Sequence, residues 1–137
     1  MKMLNCQHSV KFYESGKTKN YYNIVMEYCN GKSLYNLMNE KKNFSVSEIK
    51  IILNQLNEVF KIMNNKHIIH RDLKPDNIFI NYPNPNDKSV YDVKLGDFGF
   101  SKQLNNSLQT VSSWFSNLPS WSKPINRSWF FWKCLQM

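Results

Sequence analysis

The longest regular hydrophobic pattern in this 137-residue chain lies between residues 44 and 64. Its apolar side chains recur at the three- and four-residue intervals of one α-helical face: Ile49, Ile52, Leu53, Leu56, Val59, Phe60 and Met63. Ser45 stands just before this stretch and Glu48 stands three residues later, which is the capping-box pattern of a helix start. The sequence therefore predicts a long helix from Ser47 to about Asn64.

Short runs rich in β-branched and aromatic residues predict strands on both sides of this helix. There are four such runs, in two pairs: Val10–Ser15 with Tyr21–Met26, and Ile78–Ile80 with Val93–Leu95. A polar loop joins the first pair, which is followed by a short predicted helix near Leu34–Met38. The turn-rich stretch Asn81–Asp92 joins the second pair. The second pair is therefore expected to form a hairpin after the long helix.

The composition argues against a membrane-spanning, a secreted or a zinc-binding protein. No apolar run approaches the length of a membrane span, and the first six residues lack the apolar core of a secretory signal. The three cysteines, Cys6, Cys29 and Cys134, are odd in number and far apart, so neither a disulfide framework nor a zinc site is indicated. We expect an intracellular, cytoplasmic protein with reduced thiols.

The net charge of +8 does not by itself indicate a nucleic-acid partner. All ten acidic residues lie within residues 1–97, interspersed with lysines, and there is no basic block or base-stacking motif. We therefore expect no nucleic-acid partner.

The candidate chemistry lies in two short motifs near the second strand pair. The first is the run His70-Arg71-Asp72-Leu73-Lys74-Pro75-Asp76-Asn77, and the second is Asp97-Phe98-Gly99. Negative charge spreads over the phosphoryl oxygens during phosphoryl transfer, so a protein contributes mainly positioning and opposing charge. Carboxylate and amide oxygens also suit Mg²⁺. The two motifs supply both kinds of group.

Together these motifs resemble the catalytic loop and the metal-binding loop of eukaryotic protein kinases. The resemblance implies that Asp72 orients a substrate hydroxyl and accepts its proton, and that Lys74 faces the γ-phosphate. It also implies that Asn77 and Asp97 hold Mg²⁺. ATP and Mg²⁺ are the cofactors that follow.

The run Leu73–Asn77 resembles the serine/threonine-specific branch of the family, which implies a protein substrate. Arg71 resembles the arginine that in many kinases pairs with a phosphorylated activation loop. His70 is expected to pack within its loop, because Asp72 already fills the proton-accepting role.

The residues upstream resemble the last two strands of the kinase N-terminal lobe and the hinge that follows them. This implies an adenine site in which Met26 is the gatekeeper and Phe79 is part of the floor. Glu27 and Cys29 would offer a backbone carbonyl and N–H to the adenine edge. The alternatives are that Met26 and Phe79 are plain core residues and that Cys29 is merely a buried small residue.

The resemblance covers about residues 8–111, which we expect to be a partial protein kinase domain. It implies an α+β fold, a fragment of the bilobal protein kinase fold. That fragment would contain the last strands of the N-terminal lobe, the hinge, and the catalytic-loop helix and hairpin of the C-terminal lobe. Met26–Gly31, the long Asn- and Pro-containing hairpin before Asp97, and Asp97–Phe100 look most like the autophagy-initiating kinases, although calcium-dependent and cell-cycle kinases share much of this pattern.

The sequence changes character after the second motif. Residues 98–137 contain no Asp or Glu and all four tryptophans, and their apolar residues keep neither the strand nor the helix period. We expect residues 112–137 to be a tail unrelated to the family. A shifted reading frame, a read-through intron and an aromatic docking tail are the alternatives for its origin.

Two functions follow from these patterns. The first is ATP-dependent phosphoryl transfer to protein Ser or Thr, by a serine/threonine protein kinase of which this chain is a truncated part, inactive alone. The second is a non-catalytic kinase fragment or pseudokinase-like binding module. It is motivated by the four glycines, which form no phosphate-binding loop, and by the missing Val-Ala-Ile-Lys strand.

Overall fold

The computed structural model describes residues 4–41 and 43–104. In chain order, its strands and helices are β1 (Phe12–Lys17), β2 (Tyr22–Met26), α1 (Leu34–Glu40), α2 (Val46–Asn65), β3 (Ile68–Ile69), β4 (Ile78–Asn81), β5 (Asp92–Leu95) and β6 (Lys102–Gln103). Two 3₁₀ turns, Pro75–Asn77 and Phe98–Phe100, precede β4 and follow β5. Both predicted helices and all four predicted strands are confirmed, with ends that differ by at most two residues. The pair β3 and β6 is additional.

Helix α2 begins where the capping-box pattern predicts. The Ser45 hydroxyl accepts a hydrogen bond from the Glu48 N–H at 3.3 Å, and Glu48 Oε2 accepts one from the Ser45 N–H at 2.9 Å. These bonds satisfy backbone donors that a helix start otherwise leaves free. Hydrogen bonds from Lys41 and Ser45 lower the pKa of the Glu48 carboxyl to about 2. The carboxylate is therefore ionised beside the positive end of the helix dipole.

The core lies between α2 and the β4–β5 hairpin. The buried side chains are Ile52, Leu56, Val59 and Met63 from the helix, and Ile78, Ile80, Val93 and Leu95 from the hairpin. The two strands are antiparallel, with Ile78 opposite Leu95 and Ile80 opposite Val93. Because side chains alternate along a strand, these four share the face that meets the helix. Burying a side chain of this size contributes about 1.5–3 kcal/mol, so this layer provides the main stabilisation of the hairpin.

Strand β5 is hydrogen-bonded beyond its pairing with β4. The Gln55 amide oxygen accepts a hydrogen bond from the Val93 N–H at 2.6 Å, and the Gln55 NH₂ donates to the Tyr91 carbonyl at 3.3 Å. Leu95 donates its N–H to the carbonyl of His8 at 2.8 Å and accepts from the N–H of residue 10 at 2.9 Å. The hairpin is thereby fixed to both the helix and the N-terminal segment.

The β1–β2 hairpin keeps most of its side chains in solvent. Tyr21 and Tyr22 are 71% and 77% exposed, and Met26 is 45% exposed. Within the described part of the chain, no third strand joins this sheet. A two-stranded hairpin buries little apolar surface by itself, which accounts for the exposure.

The short pair β3–β6 brings the chain after β5 back to the start of the 70–77 loop. Ile68 pairs with Gln103 and Ile69 with Lys102, and the Leu104 N–H donates to the His67 carbonyl at 2.8 Å. Strands of two residues carry no hydrophobic period, so the sequence pattern does not predict them.

Among residues 4–41 and 43–104, no helix is both long enough and apolar enough to cross a bilayer.

Candidate active site

His70 joins the two motif segments. Its Nε2 lies 2.9 Å from the Gly96 carbonyl oxygen, and its ring centroid lies 4.8 Å from that of Phe98. The side chain is buried, and burial lowers the pKa of the imidazole, with partial opposition from the bond to Gly96. His70 is therefore a neutral packing residue, as the sequence predicts.

Asp72 is held by two donors on one carboxylate oxygen. Its Oδ2 accepts from Lys74 Nζ at 2.9 Å and from Asn77 Nδ2 at 2.8 Å. Desolvation alone raises the pKa of the Asp72 carboxyl, but the bonds from Lys74 and Asn77 outweigh it and leave the pKa below its usual value. The group is therefore an ionised acceptor whose orientation is fixed.

Asn77 is buried and is oriented by the same network. Its Nδ2 also donates to the Asp72 backbone carbonyl at 2.8 Å, so the amide N–H groups are directed toward Asp72. This geometry leaves the amide oxygen as the group available for a cation. The Asn77 backbone carbonyl accepts a hydrogen bond from the Gly96 N–H at 2.8 Å. Asn77 therefore lies at the same end of the hairpin as Asp97, which follows Gly96.

Asp97 has a left-handed backbone, with φ 53° and ψ 67°. This region is sparsely populated for residues other than glycine, and such residues cluster at functional sites. Its Oδ1 accepts from the Gly99 N–H at 3.3 Å, which caps the 3₁₀ turn at residues 98–100. Arg71, with φ 70°, donates from Nε to the Phe100 carbonyl and so also contacts this turn.

Lys74 lies in the field of three carboxylates. The hydrogen bond to Asp72 is the largest cause that raises the pKa of the Lys74 ammonium, and the charges of Asp76 and Asp97 raise it further. Its side chain is half exposed, at 48%. The site therefore presents a positive charge that is positioned by Asp72 and accessible from solvent.

The oxygen donors at the hairpin end fit Mg²⁺. The Asn77 amide oxygen and the Asp97 carboxylate are hard ligands of the kind that this ion prefers. No group of three or more His, Cys, Asp or Glu side chains that could hold a metal occurs among residues 4–41 and 43–104. A two-ligand site still suits Mg²⁺, because this ion usually keeps several waters and takes further oxygens from substrate phosphates.

The predicted hinge residues follow β2. The Glu27 N–H donates to the Lys11 carbonyl at 2.8 Å. Cys29 is half-buried, and burial together with the charge of Glu27 raises the pKa of its thiol. Met26, the last residue of β2, is 45% exposed.

Phe79 forms a half-buried contact beside the hairpin end. A Cβ added at Gly96 would lie 2.7 Å from Phe79 Cε2 and 3.0 Å from Val10 Cγ2. Phe79 also forms an isolated β-bridge with Ser33, just after the hinge. Phe79 therefore pairs through its backbone with the segment after the hinge, and its ring lies against Gly96, the residue that precedes Asp97.

Lys94 was not among the predicted site residues. It is only 4% exposed, and its Nζ lies 2.9 Å from Glu27 Oε1. The sequence does contain a sign of its unusual environment, which is a lysine within the apolar run Val93-Lys94-Leu95. Lysine is almost never fully buried unless it is paired, so a lysine at this position indicates a charged partner.

The comparisons with known proteins agree with this geometry. Residues 1–119 match the protein kinase domain family. The chain belongs to this family, and its mixed helices and small sheets are those of an α+β kinase-domain fragment. Members of the family generally use ATP and Mg²⁺. Residues 112–137, predicted to be an unrelated tail, lie outside the described residues.

The relatives include kinases from several organisms. The chain is 35% identical over 120 residues to cGMP-dependent protein kinase isozyme 2 of Drosophila melanogaster. It is 33% identical over 117 residues to the human serine/threonine-protein kinase ULK1 and 40% identical over 124 residues to a probable serine/threonine-protein kinase of Dictyostelium discoideum. The matches cover 88%, 82% and 82% of this chain, and 12%, 11% and 18% of the respective relatives. The chain thus spans less than a fifth of the length of these relatives.

Gly96→Ala is expected to lower the free energy of unfolding by about 1–3 kcal/mol, because the new methyl group would overlap the Phe79 ring. Gly16→Ala is the matched control, since a Cβ at Gly16 meets no atom within 4 Å. Urea unfolding followed by far-UV circular dichroism measures both variants. Equal unfolding midpoints for the two variants would contradict the close packing at Gly96.

His70 is expected to make stability depend on pH. Because burial lowers its pKa in the folded chain, the unfolded chain binds more protons near the ordinary His pKa of about 6.5. The stabilisation that comes from burying neutral His70 is therefore present above that pH and is lost as the pH falls below it. His70→Gln, which does not titrate, should reduce the difference in urea midpoint between about pH 7.5 and about pH 5.5. His67→Gln, at an exposed position, should leave that difference unchanged; an unchanged difference for His70→Gln as well would refute the burial effect.

Proposed function

We propose that this chain provides the hinge, catalytic loop and metal-binding segment of a serine/threonine protein kinase, which transfers the γ-phosphoryl group of ATP to a protein hydroxyl. The observation that carries the proposal is the network in which Lys74 and Asn77 hold one carboxylate oxygen of Asp72. It places a fixed carboxylate, a cation and a metal-compatible amide within one loop. This is the set of groups that phosphoryl transfer requires.

Asp72 is proposed to receive the substrate hydroxyl. Its Oδ2 is occupied by two donors, so Oδ1 is the oxygen left to accept a hydrogen bond from that hydroxyl. The pKa of Asp72 lies below its usual value, so the group is ionised at neutral pH and can orient the hydroxyl for attack. It would accept the hydroxyl proton as the bond from the hydroxyl oxygen to the γ-phosphorus forms and the bond from that phosphorus to the ADP leaving group breaks.

Lys74 is proposed to oppose the charge on the transferred phosphoryl group. Its raised pKa keeps the ammonium charged, and its half-exposed position allows it to meet a bound phosphate. Asn77 and Asp97 would hold Mg²⁺ through oxygen atoms. An ion held by these two residues would supply positive charge to offset the negative charge of the phosphate groups.

The adenine end of ATP is assigned to the hinge. The Glu27 N–H is already bonded to Lys11, so the Glu27 carbonyl and the Cys29 N–H are the backbone groups proposed for the adenine edge. Met26 would lie behind the ring, and Phe79 would form part of the floor. The placement of Phe79 beside Gly96 supports a short path from this floor to Asp97.

Asp72→Asn is expected to lower kcat by roughly 10² to 10⁴, the usual contribution of a positioned general base. The assay uses a polypeptide that carries this sequence within a complete kinase domain, with Mg²⁺-ATP and a protein substrate containing Ser and Thr. Asp76→Asn is the control, because Asp76 is an exposed carboxylate in the same loop. If Asp72→Asn and Asp76→Asn had the same kcat, Asp72 would have no catalytic role.

The second candidate function is binding without transfer by the 137-residue polypeptide itself. It is favoured by the exposed side chains of the β1–β2 hairpin.

For this polypeptide we expect no detectable transfer. Labelled ATP, Mg²⁺ and a generic protein substrate should give no more product with the unmodified chain than with Asp72→Asn. Clear transfer that depends on Asp72 would assign the enzymatic activity to this chain alone.

A further inference from the structure

Lys94 carries a buried charge that the proposed chemistry does not use. Its Nζ lies 2.9 Å from Glu27 Oε1 and 2.8 Å from the Gln7 carbonyl oxygen, and the side chains of Lys94 and Glu27 are 5% and 17% exposed. A buried ammonium is costly unless it is paired and hydrogen-bonded. The contacts with Glu27 and Gln7 therefore offset the cost of burying a lysine within the apolar strand.

Glu27 is fixed by more than this ion pair. Its second carboxylate oxygen, Oε2, accepts from the Lys11 N–H at 3.1 Å, and its own N–H donates to the Lys11 carbonyl at 2.8 Å. The Glu27 carboxylate thus connects Lys11, the residue before β1, with Lys94 of strand β5. The backbone carbonyl of Glu27, at the start of the hinge, is the group proposed to contact adenine.

Lys94 connects this network to the phosphate end of the site. It lies three residues before Asp97 on a strand whose next residue, Leu95, is fully buried. It is also directly opposite Phe79 in the β4–β5 register, and directly opposed residues in an antiparallel pair share a face. Lys94 thus lies on the strand that leads to Asp97, directly opposite the proposed adenine floor, and its side chain contacts the first hinge residue.

We infer that Lys94 is a positioning residue that, through Glu27, fixes the hinge relative to the strand carrying Asp97 and thereby sets affinity for the adenine end of the nucleotide. The inference rests on the proposed function for its ligand. Its structural part, a hinge held by a buried ion pair, stands on the contacts alone. Lys94 is not a catalytic residue, because it is directed to Glu27 and Gln7 rather than to the reacting atoms.

The first test compares nucleotide affinities of variants of the full chain by isothermal titration, with adenosine alone and with Mg²⁺-ATP as the two probes. Lys94→Met should weaken both by the same factor, at least about tenfold, because an unpaired buried carboxylate displaces the hinge. Asp97→Asn should weaken only Mg²⁺-ATP. Lys94→Arg should restore most of the affinity, and Lys61→Met, at an exposed lysine on α2, should change neither value.

The double variant Lys94→Met/Glu27→Gln separates positioning from loss of charge. Removing both partners relieves the unpaired carboxylate and should recover fold stability more than adenosine affinity. Unchanged adenosine affinity in folded Lys94→Met would overturn the inference. A loss that follows only the unfolded fraction, measured by circular dichroism, would do the same.

The second test measures the reactivity of Cys29, at the hinge, in the absence of nucleotide. Cys29 lies close enough to both charges for Glu27 to raise the pKa of its thiol and for Lys94 to lower it. The rate of Cys29 alkylation by iodoacetamide, followed by mass spectrometry across pH, should shift to higher pH in Lys94→Met and to lower pH in Glu27→Gln. If neither variant shifts the profile, the ion pair does not lie at the hinge and the inference fails. If the unmodified chain binds neither probe, the proposed adenine site fails, and the alkylation profile still shows whether the Lys94–Glu27 pair lies beside Cys29 at the hinge.

Discussion

Two hydrogen bonds to the backbone groups of Gly96 determine the geometry of the candidate site. The Gly96 N–H donates to the Asn77 carbonyl at 2.8 Å, and its carbonyl oxygen lies 2.9 Å from His70 Nε2. The absence of a side chain at this position lets the Phe79 ring lie directly against the backbone. Asp97 is the next residue, so the contacts of Gly96 also fix its position. The two motifs, far apart in sequence, act as one site because they meet at this glycine.

The fold was predictable from the sequence where its causes are local. Helix α2 begins at the predicted place because Ser45 and Glu48 satisfy each other's backbone donors, and its buried face follows the helical period. The two hairpins also follow β-prone runs separated by turn residues. The pair β3–β6 was not predictable, because two residues show no periodicity and their pairing depends on contacts made by the rest of the chain.

The candidate site was predictable in its residue types but not in its connections. The spacing of Asp72, Lys74 and Asn77 indicates phosphoryl-transfer chemistry, yet only the tertiary structure shows that two donors share one oxygen of Asp72. The partner of Lys94 was equally inaccessible, since Glu27 lies 67 positions earlier in the chain. Burial is a property of the folded chain, so pattern alone marks Lys94 as unusual without identifying the carboxylate that neutralises it.

Gln55 gives the β4–β5 hairpin a protection that the β1–β2 hairpin does not share. Its side-chain amide occupies the Val93 N–H and the Tyr91 carbonyl, groups that on an open strand would be free to pair with another polypeptide. A helix side chain thus takes the place of a neighbouring strand. The segment that presents Asn77 and Asp97 is consequently shielded from intermolecular β-pairing along this edge.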